Sequence, residues 1–391
     1  MITRSLEAKL KQLAKTMPAI AVIGPRQAGK TTLVRKVFHN KPYVSLEDLD
    51  VREFAKTDPR GFLAQYQTGA IFDEIQQVPT LLSYIQTMID DEPTNGRFIL
   101  TGSHNYLLQQ HVAQTLAGRV AMLTLLPLSI TELAGTDIQP KSLEQWLFTG
   151  CYPRIYDQHL KPVDWYPSYI QTYIERDVRL IKNISDLSTF QKFIKLCAGR
   201  IGQVLNLSSL ANDCGITHNT AKAWIGILES SYLVFLLQPH HKNFSKRLIK
   251  MPKLYFYDTG LACTLLNITN QQQLKTHYLY GGLFESFVIA ELMKDRFNQG
   301  LQSNCYFWRD QFGHEIDCVL EQGEKLIPIE IKSSKTIVSD YFKGIQYWTT
   351  LAGMPADQGY VVYGGTQTQQ RMQGHVLSWK DVTQIGNGSN G

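Results

Sequence analysis

The eight residues Gly24-Pro25-Arg26-Gln27-Ala28-Gly29-Lys30-Thr31 restrict the fold of this chain more than any other feature. They fit the pattern G-x4-G-K-[ST] without a departure, directly after the apolar run AIAVI and directly before the helix-forming run TTLVRKVF. Strand, glycine loop and helix in that order place backbone N–H groups at the positive end of a helix, where they can surround phosphate oxygens. Residues 24–29 then form the cradle, and Thr32 joins the contacts from the first helical turn. Lys30 is expected to reach the β- and γ-phosphates, and Thr31 to offer its hydroxyl to Mg²⁺.

Hydrolysis of a bound nucleotide needs a carboxylate for the metal and a base beside it for water, both at the end of a neighbouring strand. The run Ala70-Ile-Phe-Asp73-Glu74 supplies them, Asp73 for Mg²⁺ and Glu74 for water. A further run, RFILTGS, ends in Thr101 and Ser103, and Ser103 is a candidate γ-phosphate contact; a plain strand-end turn is the other reading. With YVSL and AMLTLLPL, these runs alternate with helix-period segments. That rhythm predicts an α/β unit with a parallel sheet sandwiched between helices.

The stretches GPRQAGKTTL, IFDEIQ, ILTGS, LAGRV, YIERDVR, PKLYFYDTGL, FESFVIAEL, EIDCVL and IPIEIKSS span nearly the whole chain. Together they resemble the archaeal-type AAA ATPases of bacteria and archaea that carry a distinctive C-terminal domain of unknown function. The resemblance implies ATP as the nucleotide, since no guanine-reading NKxD motif is evident. It also implies an AAA core, a helical lid, a winged helix and a nuclease-like C-terminal fold. Such ATPases assemble as homo-oligomers, commonly hexameric rings, in which one subunit lends an arginine to its neighbour's nucleotide. Arg119 in LAGR is the first candidate for that finger, with Arg176 and Arg179 as the others. An i,i+4 pair between Glu175 and Arg179 is the structural alternative.

The segment LSSLANDCGITHNTAKAWIGILESSYLVFLL reads as two helices around Cys214-Gly215-Ile216, with Ser208 and Thr217 as N-caps. Leu210, Ile216, Ala221, Ile225 and Leu228 are expected in its core. His218, Asn219 and Lys222 then face outward, where a DNA-reading helix places its contacts. Residues 241–253 add Lys242, Lys246, Arg247, Lys250 and Lys253 with no acid among them, a composition suited to phosphate contact. A protein-binding module with a basic face is the alternative.

Residues 314–332, HEIDCVLEQGEKLIPIEIK, predict a β-hairpin about Gly323. A hairpin centred at 323/324 sets Asp317 opposite Glu330 and Glu315 opposite Lys332, with all four side chains on one face. Asp317 and Glu330 could bind Mg²⁺, Lys332 could stabilise charge on a phosphodiester, and Glu285 from FESFVIAEL offers a third acid. Lys343 and Gln346 follow on the next helix. Helix Glu, strand Asp, strand Glu-x-Lys, helix Gln is similar to the layout of PD-(D/E)xK nucleases, including archaeal Holliday-junction resolvases. Cross-strand charge pairs on an exposed hairpin, or a silent metal site, are the competing readings.

At 391 residues the chain is long for a single core, and 43% hydrophobic residues allow several. The order of motifs divides it into an ATPase core (1–135), lid (136–198), winged helix (199–258), nuclease-like domain (259–385) and disordered tail (386–391). Six scattered cysteines without a CxxC pair argue against a zinc site or disulfide framework and suit a reducing cytoplasm. No run reaches the length of a membrane span, and the first sixteen residues read as an amphipathic helix. The net charge of +5 favours an anionic partner. The combined expectation is an ATPase that remodels or moves along DNA, branched DNA included, with a C-terminal domain that binds or cuts it. The rivals are an ATP-dependent signalling switch and a protein remodeller whose C-terminal half is an adaptor.

Overall fold

The apolar runs of the first 125 residues become five strands that hold the glycine loop at one edge of a sheet. In the computed structural model, which describes residues 2–103, 112, 114–173, 186–240 and 250–386, these are β1 (Ala19–Ile23), β2 (Tyr43–Ser45), β3 (Ala70–Asp73), β4 (Phe98–Gly102) and β5 (Val120–Thr124). All pair in parallel, in the order β2-β3-β4-β1-β5. Strands β1, β3 and β4 are buried along their whole length, as continuous apolar runs in a doubly covered parallel sheet require. On one face lie the N-terminal helix Leu6–Leu13 and the loop-following helix Lys30–Val37. Leu6, Leu10, Leu33 and Val34 there meet Ile20, Val22, Ile71 and Ile99. Because β1 lies between β4 and β5, the loop at its C-terminal end opens at the point where the strand order reverses, the usual ligand crevice of such sheets.

Short helices from Ile130 to Tyr169 pack aromatic side chains beneath this crevice, among them Tyr152, Trp165 and Tyr169 with ring centroids 4.9–5.0 Å apart. Helix Leu187–Ala198 was expected in the lid. It instead meets Trp224 through Phe190 and Phe193, each ring 5.2 Å away, and so packs with the next module. That module contains helices Leu207–Cys214 and His218–Ser230 and the antiparallel strands β6 (Gln203–Val204), β7 (Val234–Leu237) and β8 (Lys253–Phe256), ordered β6-β8-β7. Thr217 caps the second helix as expected. The first is capped by Asn206, whose side chain accepts from Ser209 N–H, rather than by Ser208. Leu210, Ala221, Ile225 and Leu228 are buried, and Ile216 packs partly buried against them.

Near the C-terminal end of helix His218–Ser230, burial pushes the Glu229 carboxyl up to about 6, against the Leu236 backbone N–H that favours its charged form. A raised folded-state pKa gives stability that is complete below about 4.5 and lost as pH rises through 6. Glu229→Gln should therefore be more stable than the wild type at pH 7.5 by about 2 kcal/mol relative to their difference at pH 4. Urea denaturation at the two pH values measures this, and an unchanged difference would contradict it.

The C-terminal unit is a six-stranded mixed sheet, β13-β14-β12-β11-β10-β9, formed by β9 (Cys305–Arg309), β10 (Glu315–Gln322), β11 (Lys325–Lys332), β12 (Tyr360–Tyr363), β13 (Gln369–Arg371) and β14 (Gly374–Ser378). Helix Tyr280–Asn298 covers one face and helix Lys343–Ala352 the other. The β10–β11 hairpin has the predicted register: Cys318 pairs with Ile329 and Gln322 with Lys325, leaving Gly323-Glu324 as the turn. On the far edge, residues 238–240 hydrogen-bond to Phe307 of β9, so that strand is not left bare.

One hydrophobic cluster runs from Ala19 through the lid and the three-helix module to Ile385. A buried polar clasp reinforces it. On helix Tyr280–Asn298, Glu291 accepts from Ile130 N–H at 2.7 Å, and Lys294 donates to Leu128 O at 2.8 Å and to Glu291 at 2.6 Å. Among the described residues no helix is long and apolar enough to cross a membrane.

Candidate functional site

The glycine loop is shaped by close approach. Gly24 has φ +147°, and a Cβ there would lie 2.1 Å from the Leu125 carbonyl oxygen, so only glycine lets β5 pass beside the loop. Gly29 (φ +92°) precedes the helix that carries Lys30 and Thr31. The Lys30 ammonium, buried inside the loop, donates to the carbonyls of Gly24 (2.9 Å) and Pro25 (2.8 Å). Burial lowers its pKa, with Glu74 and Asp73 pulling the other way.

Asp73, at the end of β3, receives three hydroxyls. Thr31 lies 3.0 Å and 3.1 Å from its two oxygens, Tyr43 donates at 2.6 Å, and Thr101 at the end of β4 makes a close contact. The two groups predicted to hold Mg²⁺, Thr31 and Asp73, are thus already adjacent. Glu74 follows in the left-handed region (φ 54°), an uncommon backbone state for glutamate that turns its side chain off the strand direction. Ser103 holds it there through Oγ (2.9 Å) and N–H (3.3 Å), and the Gln76 amide contacts the same oxygen. Ser103, predicted to touch the γ-phosphate, is placed on the candidate base.

These groups line a cavity of about 700 Å³, ample for a nucleotide. Arg26 and Thr32 also line it, and Arg26 pairs with Glu47 at 3.4 Å. Two lining arginines escaped sequence reasoning. Arg4, buried, donates to Ala28 O and Leu126 O at 2.6 Å each and pairs with Glu132 at 3.1 Å, fixing the loop from below. Arg154, exposed on the lid side, follows the Pro153 that starts its helix. An N-terminal arginine in an amphipathic helix and an arginine after Tyr-Pro carry no motif that would have flagged them.

Arg119 stands just before β5, and its carbonyl accepts from Ala19 N–H. It therefore lies at the sheet edge opposite this chain's own loop, in a two-contact ion pair with Asp90. Arg176 and Arg179 lie outside the described residues. His218, Asn219 and Lys222 are exposed on the first turns of helix His218–Ser230, and Lys250 is exposed as well; Lys242, Lys246 and Arg247 lie outside the described residues. Lys253, expected with that basic run, is only 3% exposed and turns into the protein.

The reason is acidic. Glu285, Glu315 and Asp317 bring one carboxylate oxygen each within 4.8 Å of one another, and the Lys253 ammonium meets two of them, 3.0 Å from Glu285 and in contact with Glu315. Tyr255, two residues along β8, also donates to Glu285. Glu330 is not part of the trio: it pairs with Lys332 at 2.5 Å. Glu315 meets Lys253 and Arg309 (3.2 Å), not Lys332, and β10 shifts register against its other neighbour, β9, between Ile316 and Val319. Lys332 does reach Asp317, at 3.4 Å, and Asp317 also accepts from Ile331 N–H. Lys343 points away and pairs with Asp340. Burial, then Asp317, raises the Glu330 carboxyl to about 8; burial likewise raises Glu285 to about 7 despite Lys253. Burial disfavours the Lys253 charge, but Glu285, Asp317 and Glu315 reverse this and its pKa is raised. With an ammonium already paired to two of its three acids, the trio does not fit a resident divalent ion.

Residues 16–134 match a family described as an AAA domain. Residues 140–272 and 280–382 match two domains of unknown function (DUF8612 and DUF4143). The chain is similar to the uncharacterized protein Rv2008c of Mycobacterium tuberculosis (strain ATCC 25618 / H37Rv), 28% identical over 337 residues that cover 85% of this chain and 74% of that one. It is also similar to the uncharacterized protein MJ1544 of Methanocaldococcus jannaschii, 24% identical over 349 residues, covering 81% and 75%. Among solved structures, the Walker-type ATPase paby2304 of Pyrococcus abyssi aligns over 68% of this chain and 96% of its own, with TM-score 0.42 and 14% identity. The loop geometry and the match over residues 16–134 identify this part of the chain as a P-loop ATPase domain of AAA type.

Proposed function

We propose that this chain hydrolyses ATP at residues 24–31 and uses the nucleotide cycle to bind and remodel DNA, or move along it. The observation that carries hydrolysis is the meeting of Lys30, Thr31, Asp73 and an anchored Glu74 at one strand-end crevice. Thr31 and Asp73 would hold Mg²⁺, which would supply charge neutralisation for the phosphates. Lys30 leaves the loop carbonyls to meet the phosphates, Glu74 orients water, and Arg154 closes on the nucleotide from the lid. In a homo-oligomeric ring, hexameric in the simplest case, Arg119 exchanges Asp90 for a neighbour's nucleotide; Arg176 and Arg179 are the alternatives. The surroundings are the cytoplasm.

DNA is the partner best supported, through a winged-helix reading of residues 187–256. Helix His218–Ser230 presents His218, Asn219 and Lys222 to solvent in the position of a recognition helix, and Lys250 extends the basic surface. The rival is an ATP-dependent signalling switch, favoured by the Glu291–Lys294 clasp on residues 128–130, which ties the C-terminal half to a wall of the nucleotide cavity.

ATP turnover measured with single-stranded, duplex and four-way-junction DNA separates the two. At least one form is expected to stimulate it. Lys222→Glu should abolish the stimulation while basal turnover persists, and rising salt should weaken it steeply. Equal turnover with and without every DNA form would leave the switch as the better reading.

A further inference from the structure

Two carboxylates of the trio in the C-terminal unit hold a cation that belongs to the chain. We propose that Lys253 is the resident cation of the Glu285/Glu315/Asp317 cluster and takes two of the acids that a divalent metal would need. On this reading the C-terminal unit is a metal-free docking domain keyed to β8, and not a metal-dependent nuclease. The inference does not rest on DNA being the partner.

Three observations carry it. The first is position. A hard cation bound by these oxygens needs ligand distances of about 2.0–2.6 Å, which places it inside the trio. The Lys253 ammonium already occupies two of the three acids, Glu285 and Glu315, at the side of that position, 5.6 Å from the centre of the Phe307 ring.

The second is enclosure. The Lys253 side chain is 4% exposed and is anchored on a strand paired on both sides, with β6 and with β7. Tyr255 and Lys253, alternate residues of one strand, face the same way and grip the same Glu285. Expelling the ammonium would therefore mean displacing the strand.

The third is charge. Four carboxylates (Glu285, Glu315, Asp317 and Glu330) face three cations (Lys253, Lys332 and Arg309), each in an ion pair with at least one of them. The formal balance is one negative charge, so the cluster is nearly neutral with no added ion. A divalent ion sharing the trio with an ammonium a few ångströms away would be repelled by several kcal/mol even at an effective dielectric constant of about 20. The same network makes a selective junction, because buried ion pairs tolerate only the partner that completes them. Lys253 comes from the three-helix module, while its acids come from the helix and sheet of the C-terminal unit.

The test is titration of the full-length, nucleotide-free protein with Mn²⁺, following the free-ion signal by electron paramagnetic resonance. Wild type should show no site that Asp317→Asn removes. Lys253→Met, checked for folding by circular dichroism, should acquire one that Asp317→Asn removes again, with affinity greater by on the order of 100-fold. Lys253→Arg, which keeps the positive charge, should not acquire it. A stoichiometric wild-type site lost in Asp317→Asn but kept in Asp73→Asn would overturn the proposal. So would a folded Lys253→Met variant that gains nothing. Should Lys253→Met fail to fold, the wild-type titration decides alone. ATP turnover in the same samples is reported separately, since failure at Lys253 leaves the nucleotide reading untouched.

Discussion

Glu74→Gln is expected to lower ATP turnover by roughly 10²–10⁴-fold, the range that a positioned general base contributes. Nucleotide affinity should stay within about threefold of wild type, since a base that acts on water gives little ground-state binding. The expectation follows from how the side chain is held. Glu74 leaves β3 with a left-handed backbone and is fixed by both Ser103 groups and by Gln76. Glutamine preserves size and some of these contacts but cannot take a proton from water. Steady-state hydrolysis with a parallel fluorescent-nucleotide titration reads both quantities. Turnover within about fivefold of wild type would remove Glu74 from the base role, since loss of a base costs far more. A parallel loss of affinity would make it a structural residue of the cavity instead.

Asp258→Ala is expected to cost about 3–5 kcal/mol of folding stability, the largest loss from any one carboxylate considered. Asp258 is 3% exposed and accepts from Cys151 N–H (2.6 Å), the Tyr166 hydroxyl (2.6 Å) and Leu261 N–H (2.9 Å). The last contact caps helix Thr259–Leu265, worth about 1 kcal/mol. The first two strand buried donors when removed, at about 1–3 kcal/mol each. There is no slack at the site, because a Cβ on Gly150 would lie 2.5 Å from the Asp258 carboxylate. Burial raises the Asp258 pKa while the three donors oppose that rise, so the carboxylate depends on keeping all of them. Asp258→Asn keeps an acceptor and should lose less. Chemical denaturation of the three proteins makes the comparison, and a loss below about 1 kcal/mol for alanine would show that water replaces the carboxylate.

What could be read from the sequence was what is local to it. The phosphate loop, Asp73-Glu74 and the β10–β11 hairpin are each set by neighbours within a few residues, and the five parallel strands announced themselves as short apolar runs. Even the register of the hairpin followed from its two-residue turn. Lys253 shows where such reading stops. In sequence it closes a basic run and looks like a phosphate contact; in space it is buried against acids 32 and 62 residues further on. Arg4 is the same case in reverse: its partners Leu126 and Glu132 lie more than 120 residues away, and no periodicity reports them. Helix Leu187–Ala198 is a further case: Phe190 and Phe193 mark an apolar face without naming the Trp224 that covers it.

The hydrophobic cluster that runs unbroken from Ala19 to Ile385 also bears on ancestry. Many ATPases diversify by trading output domains at flexible joints, as interchangeable heads on a common engine. Here the apolar cluster crosses the seams, and three buried acids, Glu291, Asp258 and Glu285, find partners on the other side. A recombination breakpoint placed at any of these seams would leave both halves with exposed core and stranded charge. A lineage built this way changes by paired substitutions along its seams, and inherits its nucleotide cavity and its C-terminal sheet as one possession.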